Sequence, residues 1–233
     1  MNEMKYAVAV DGPSGAGKST LAKAAAKALG ITYVDTGAIY RVIGVAAQRR
    51  GIDPKDGAAV TAMLPALKIA LAYGQDGLQR MYLNGEDVTD AIRLPEISMY
   101  ASAASALPQV RSFLLEMQRQ FARERSVIMD GRDIGTVVLP DAELKIFLVA
   151  SPEARAKRRF LELQEKGSDV SYEEVLRDLI ARDEKDTSRA AAPLKKAEDA
   201  IEVDSSDLNA EETFALLCEI VIQKLAVHPE EKA

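Results

Sequence analysis

Apolar residues fall in short blocks along this chain, and each block ends at a glycine, a proline or a charge. Residues 6–10, Y-A-V-A-V, run into D-G-P-S-G, where glycine and proline interrupt regular structure. This is the pattern of a buried strand entering a loop. Residues 19–29, S-T-L-A-K-A-A-A-K-A-L, are dense in strong helix formers, and Gly30 stands where a helix C-terminal glycine would. A second strand is expected at 31–34, and two further apolar segments, 126–129 and 144–149, are short and bounded as internal parallel strands should be. Residues 200–203 are a last strand candidate, and 210–225 carry helical periodicity that would cover the sheet. Between the second and third strands, 67–71 and 78–83 alternate around Y-G-Q-D-G and then N-G-E-D, which predicts a small antiparallel insertion with hairpin turns near 63–100. Short strands alternating with helices predict an α/β fold: a parallel sheet core flanked by helices, with an inserted antiparallel subdomain.

Composition narrows the class. The chain has 233 residues, 48% hydrophobic and 28% charged, enough for one sizeable core and too short for a string of modules. Cys218 is the only cysteine and His228 the only histidine, so an intramolecular disulfide and a His- or Cys-rich metal site are excluded. Cys218, in an apolar helical stretch, is expected in the core and His228 in a solvated tail. No segment approaches the roughly 20 apolar residues of a membrane span, and the N-terminus leads directly into the first strand, so a cytoplasmic location without membrane partners is expected. The net charge of −6 argues against a nucleic-acid partner. That acidity is uneven: residues 197–233 hold 10 Asp/Glu against 2 Lys, so the first 196 residues carry 28 basic against 26 acidic side chains. A local basic pocket for a small anion is compatible with this balance.

Residues 12–19 read G-P-S-G-A-G-K-S and match G-x-x-x-x-G-K-[ST], with a strand expected before and a helix after. Glycines permit a tight loop whose backbone N–H groups point inward, and the following helix adds its positive end beneath bound phosphates. The nucleotide-phosphate cradle is therefore expected from Gly12, Pro13, Ser14, Gly15, Ala16, Gly17, Lys18, Ser19 and Thr20. Lys18 would neutralise the β/γ-phosphates, and the Ser19 hydroxyl can ligate Mg²⁺.

Such a loop serves both phosphotransferases and nucleotide-driven switches or motors. A guanine-binding switch would carry N-K-x-D, which does not occur. Instead, arginines recur well away from the loop, among them Arg41, Arg111, Arg132, Arg155, Arg158, Arg159, Arg182 and Arg189. That distribution suits a second anionic substrate.

Four blocks in order, D-G-P-S-G-A-G-K-S-T at 11–20, D-T-G-A-I-Y-R at 35–41, D-G-R-D-I-G-T at 130–136 and R-D-E-K-D-T-S-R at 182–189, resemble the bacterial cytidylate kinases over nearly the whole chain. The resemblance implies the P-loop nucleoside monophosphate kinase fold as a single domain: a core of 1–62, 101–151 and 168–233, a monophosphate-binding insertion at about 63–100, and a helical lid at about 152–167. It implies transfer of the γ-phosphoryl of ATP to CMP or dCMP within pyrimidine nucleotide metabolism, by a monomer, with Mg²⁺. Other small-metabolite kinases of this class, of the shikimate or dephospho-coenzyme A type, are disfavoured by the long insertion and the G-R-D-I-G-T block.

The resemblance also implies roles. Arg41 and Arg132 are candidates for the CMP phosphate, both flanking turn-forming residues at expected strand ends. Ser102, Arg111 and Asp133 would contact cytosine, Asp133 accepting from the N4 amino group that uracil replaces with a carbonyl. Asp35 and Thr36 are expected to end the second strand, the Thr36 hydroxyl serving as a substrate contact. Asp130 follows S-V-I-M and is placed as a carboxylate for the Mg²⁺ shell, together with Ser19. Arg182 and Asp186 would read the ribose and Arg189 a phosphate, while Lys185 stands where relatives often have arginine. Arg158 and Arg159 are the candidate lid arginines, although neighbouring helical residues point about 100° apart. Residues 204–208, D-S-S-D-L, resemble the loop that packs on adenine. The catalytic set implied is Lys18, Arg132, Arg158, Arg159 and Arg182. No general base is needed, because a phosphate monoester with a second pKa of about 6 is already ionised near neutrality.

Overall fold

A computed structural model describes residues 5–225, so His228 lies outside the described residues. The described chain divides into two compact units, with boundaries between Tyr33 and Val34 and between Phe121 and Ala122. The first unit opens with β1 (Ala7–Asp11), buried throughout, then the phosphate-loop residues, α1 (Lys18–Ala28) and the first half of β2 (Thr32–Asp35), the strand within which the boundary falls. Helix α1 ends with Leu29 as its cap and Gly30 at φ 67°, as the helix-former pattern and its glycine predict.

The second unit contains α2 (Thr36–Arg49), α3 (Gly57–Met63), the antiparallel strands β3 (Ile69–Tyr73), β4 (Gln79–Leu83) and β5 (Glu86–Asp87), and the helix α4 (Pro95–Ser105). Helix α5 (Pro108–Glu124) leads back to the first unit. The hairpin turns fall where Y-G-Q-D-G and N-G-E-D predict them: Gly74 N–H donates to Leu78 O at 3.0 Å, and Asn84-Gly85 joins β4 to β5. Within this unit α2 packs on α4, burying Ile39, Ile43, Ala46, Ile97 and Ala101.

Two expectations about the D-T-G-A-I-Y-R block are corrected. Thr36 does not end the second strand but opens α2, because the Asp35 carboxylate accepts from Ala38 N–H at 2.9 Å and caps the helix. Arg41 therefore lies in the second turn of α2 and not at a strand end.

The chain then adds β6 (Val127–Gly131), a π-helical turn at Ile134–Val138, β7 (Leu144–Val149), α6 (Pro152–Glu165), α7 (Tyr172–Ser188), β8 (Ile201–Asp204) and α8 (Ala210–Leu225). Five strands form one sheet in the order β2-β6-β1-β7-β8, with β1 parallel to β6 and β7, and β7 parallel to β8. Val8, Val10, Ile128, Ile146 and Leu148 of the sheet pack with Leu21 and Ala25 of α1 and Leu217 and Val221 of α8. Cys218, half-buried, lies against that core, and burial pushes its thiol pKa up. No described helix is long and apolar enough to cross a membrane.

Candidate active site

The loop after β1 is built by a close approach. Gly12 has φ 151°, and a Cβ there would fall 2.0 Å from the Leu148 carbonyl oxygen on the neighbouring strand β7, so only glycine fits. Lys18 opens α1 and is 4% exposed; its Nζ donates to the Pro13 carbonyl at 2.6 Å, which folds the side chain back over the loop. Burial, with Arg132 and Arg182 nearby, holds the Lys18 pKa well below the usual lysine value, against the opposing pull of Asp130 and Asp11. A polyanion in the loop would reverse that pressure and favour the ammonium.

Ser19 Oγ donates to Asp130 Oδ2 at 2.7 Å, and Tyr33 Oη donates to Asp130 Oδ1 at 2.9 Å. Tyr33 was not legible as a site residue, since it sits in an apolar strand where aromatic side chains are ordinary core. Asp11 is a second residue that the motif does not single out. Its two carboxylate oxygens accept from Ile134 N–H at 2.8 Å and Gly135 N–H at 2.7 Å, fixing the turn that follows Arg132 and Asp133. Burial pushes the Asp11 pKa up to about 6, despite those two hydrogen bonds.

The G-R-D block and the end of α7 meet in a charged cluster. Arg132 Nε donates to Asp186 Oδ2 at 2.9 Å; Arg189 Nη1 lies 3.8 Å from Asp186 Oδ1 and its Nη2 lies 3.6 Å from Asp133 Oδ1. Asp133, Asp186 and the Arg189 side chain are all buried. Helical spacing puts Arg182 and Asp186 on one face of α7, since residues four apart recur near the same direction, and Arg189 caps the helix just beyond its last turn.

The candidate lid arginines behave differently from one another. Arg158 donates to Ser205 O and to Leu208 O, the latter at 3.1 Å, which ties α6 to the 204–208 loop. Arg159 pairs with Glu162 on the exposed face at 2.8 Å, as its helical offset from Arg158 requires. It is Arg155, to which the sequence assigns no role, that donates to the phosphate loop: its Nη1 lies 2.9 Å from Ser14 O.

The second unit holds the remaining candidates. Arg41 lies 3.6 Å from Asp35, and the Arg111 guanidinium sits over the Tyr40 ring at 5.5 Å while donating to Ser105 O at 3.0 Å. Ser102, on α4, is half-buried, and its carbonyl accepts from Ser105 Oγ. Tyr40, another residue outside the expected set, thus orients Arg111. Lys185 lies on α7 and makes no ion pair among the described residues.

The cytidylate kinase family model matches residues 8–225. A cytidylate kinase of Caldicellulosiruptor bescii is 50% identical over 216 residues, covering 93% of this chain and 95% of that protein. One from Fervidobacterium nodosum is 48% identical over 226 residues, covering 96% of this chain and all of its own length. Among solved structures, an uncharacterized protein from Eubacterium ventriosum covers 97% of this chain at 13% identity with a TM-score of 0.51, a likeness of fold alone. With its family model spanning almost the whole described chain and its relatives half identical end to end, the chain belongs to the cytidylate kinase family.

Proposed function

We propose that the chain transfers the γ-phosphoryl of ATP to CMP or dCMP, giving ADP and CDP or dCDP. Membership of the cytidylate kinase family carries this reading, and the charged cluster of Arg132, Asp133, Asp186 and Arg189 supports it from the geometry. An oxygen of the CMP phosphate forms the new bond to the γ-phosphorus, the bond to the β,γ-bridging oxygen breaks, and ADP leaves with that oxygen's electrons. The work is positioning and charge neutralisation, not proton abstraction.

Residues 12–20 receive the ATP phosphates through backbone N–H groups and the start of α1. Lys18 places its charge on the transferring group. Arg132, Arg182 and Arg189 receive acceptor charge, and Asp186 both holds Arg132 and accepts from the ribose. Asp133 accepts from the cytosine N4 amino group. Arg158, through its bonds to residues 205 and 208, shapes the loop assigned to adenine, and Arg159 serves the closed lid at 152–167. The second unit supplies its own acceptor candidates in Thr36, Arg41, Ser102 and Arg111.

Among the described residues no group of three His, Cys, Asp or Glu could hold a metal unaided. The Ser19 hydroxyl and the Asp130 carboxylate are hard oxygen donors suited to Mg²⁺, an ion that completes its shell with water and nucleotide phosphate. Ser19 and Asp130 would hold it, and bound Mg²⁺ reduces the charge on the donor phosphates. The same reading takes the protein as a monomer, and nucleotide substrates support a cytoplasmic place in pyrimidine metabolism.

The test is a coupled ADP-release assay with CMP, dCMP, UMP, AMP and GMP as acceptors. CMP and dCMP are expected to be preferred; preference for AMP or GMP would overturn the assignment.

A further inference from the structure

Arg155, in the first turns of α6, is 2% exposed, and nothing in the transfer reaction as derived above uses it. A buried guanidinium is costly unless its donors and its charge are met. Here they are met from three separate places: Nε donates to Ala150 O beyond β7 at 2.9 Å, Nη1 to Ser14 O in the phosphate loop at 2.9 Å, and Nη2 to Asp183 Oδ2 on α7 at 2.6 Å. The pair is not arranged for stability alone. Asp183 Oδ1 is buried and accepts no hydrogen bond from the described residues, a cost the fold retains.

The contact with Ser14 has a directional consequence. A trans peptide is planar, so the Ser14 carbonyl and the Gly15 N–H point in opposite directions. Gly15 adopts φ 77°, with the Arg155 Cβ 3.5 Å and Leu179 Cδ2 3.7 Å from the position its own Cβ would take, while the residue itself is exposed on its other side. Glycine has little intrinsic preference among backbone conformations, so a tether on the adjoining carbonyl decides which way this peptide faces. If it turned over, a carbonyl dipole would replace an N–H donor in a concavity built to hold anions.

We propose that Arg155 is a positioning residue for the phosphoryl donor: it holds the Ser14 carbonyl outward so that the Gly15 N–H faces the donor phosphates, and Asp183 fixes the guanidinium in that position. The proposal rests on the reading of residues 12–19 as the donor cradle. Lysine cannot replace arginine here, because a single ammonium on a flexible stem cannot satisfy Ala150, Ser14 and Asp183 in the same fixed directions. Because Asp183 neighbours Arg182 on α7, the same tether links the donor loop to the helix that carries the acceptor cluster.

The test compares the full chain with Arg155→Lys, Arg155→Met and Asp183→Asn. Calorimetry gives the affinities for ADP and for CMP separately, and the Gly15 amide resonance is followed during ADP titration. Both Arg155 variants are expected to weaken ADP binding and raise KM for ATP by about tenfold, with CMP affinity changed by less than about twofold. Asp183→Asn is expected to weaken ADP binding by roughly threefold in the same selective way. The ADP-induced shift of the Gly15 amide should shrink in step. Equal loss for ADP and CMP, or unchanged ADP affinity with only a lower melting temperature, would overturn the proposal. Should the Arg155 variants not fold, Asp183→Asn decides, and unchanged ADP affinity there overturns it. A wild-type Gly15 resonance that ADP leaves unmoved would instead overturn the reading of the loop, and the tether with it.

Discussion

Ser19 Oγ donates to Asp130 Oδ2 at 2.7 Å, joining the first turn of α1 to the end of β6. With Tyr33 on its other oxygen, Asp130 is held in one orientation at the position assigned to the Mg²⁺ shell. Asp130→Asn keeps an acceptor for one hydroxyl but removes the charge. Turnover is expected to fall by about a hundredfold at saturating substrates, with the magnesium requirement shifted to higher concentration and CMP affinity unchanged. Steady-state kinetics across a magnesium series checks this; an unaltered magnesium dependence would remove Asp130 from the metal site.

The buried Asp133 carboxylate is the group proposed to read the acceptor base. An acceptor facing cytosine N4–H₂ would face a uracil carbonyl in UMP, and two acceptors repel. Asp133→Asn supplies an amide that can donate to that carbonyl. The ratio of kcat/KM for CMP over UMP is expected to fall by about tenfold or more, while KM for ATP stays unchanged. Equal losses on both acceptors would show that Asp133 does not read the base.

Gly12 is a position where the backbone leaves no latitude. A methyl group would meet the Leu148 carbonyl oxygen at 2.0 Å, and φ of 151° is strained for any side chain. Gly12→Ala is expected to cost about 3 kcal/mol or more, because the obstacle is backbone of the central sheet and cannot swing aside. Urea denaturation measures it; a midpoint equal to that of the wild type would refute the close approach.

The parts of the fold legible in the sequence are those set by local pattern. The expected strand at 144–149 agrees with β7 to the residue, the helix expected from residue 210 begins there as α8, and the other expected strands and helices lie within one or two positions. Asp35 ends β2 as expected, and it is also the N-cap of α2: an aspartate after an apolar run can be both at once, and only the Ala38 N–H it binds shows that Thr36 opens a helix. Arg155 was hidden by its own context. In R-A-K-R-R three arginines look alike, and which one is buried depends on Asp183, 28 residues further on, and on a loop carbonyl at Ser14. Asp11, likewise, acquires its role from two N–H groups more than 120 residues away.

Asp11 also predicts how stability depends on pH. Burial raises its carboxyl pKa from 3.8 to about 6; the N–H groups of Gly135 and Ile134 oppose the shift, Asp133 adds to it, and Lys18 opposes it. The folded state therefore holds this proton at pH values where the unfolded chain has released it, so the contribution from Asp11 favours folding under acid conditions and declines as pH rises through about 6. The carboxylates whose pKa values are lowered, Asp76, Glu86, Asp87, Glu162, Glu174, Asp199 and Asp204, lose their contribution only as pH falls below the ordinary carboxylate range. They titrate outside the interval around pH 6 and are common to wild type and variant. Asp11→Asn is expected to be less stable throughout, because an amide nitrogen must face one of the two N–H donors, but it should lack this pH dependence. Between about pH 5 and pH 7 the wild type should lose on the order of 1 kcal/mol relative to Asp11→Asn. Urea unfolding of both proteins at half-unit pH intervals reads the difference directly; parallel curves would mean that Asp11 does not titrate there, and a wild type gaining on the variant as pH rises would reverse the sign of its burial effect.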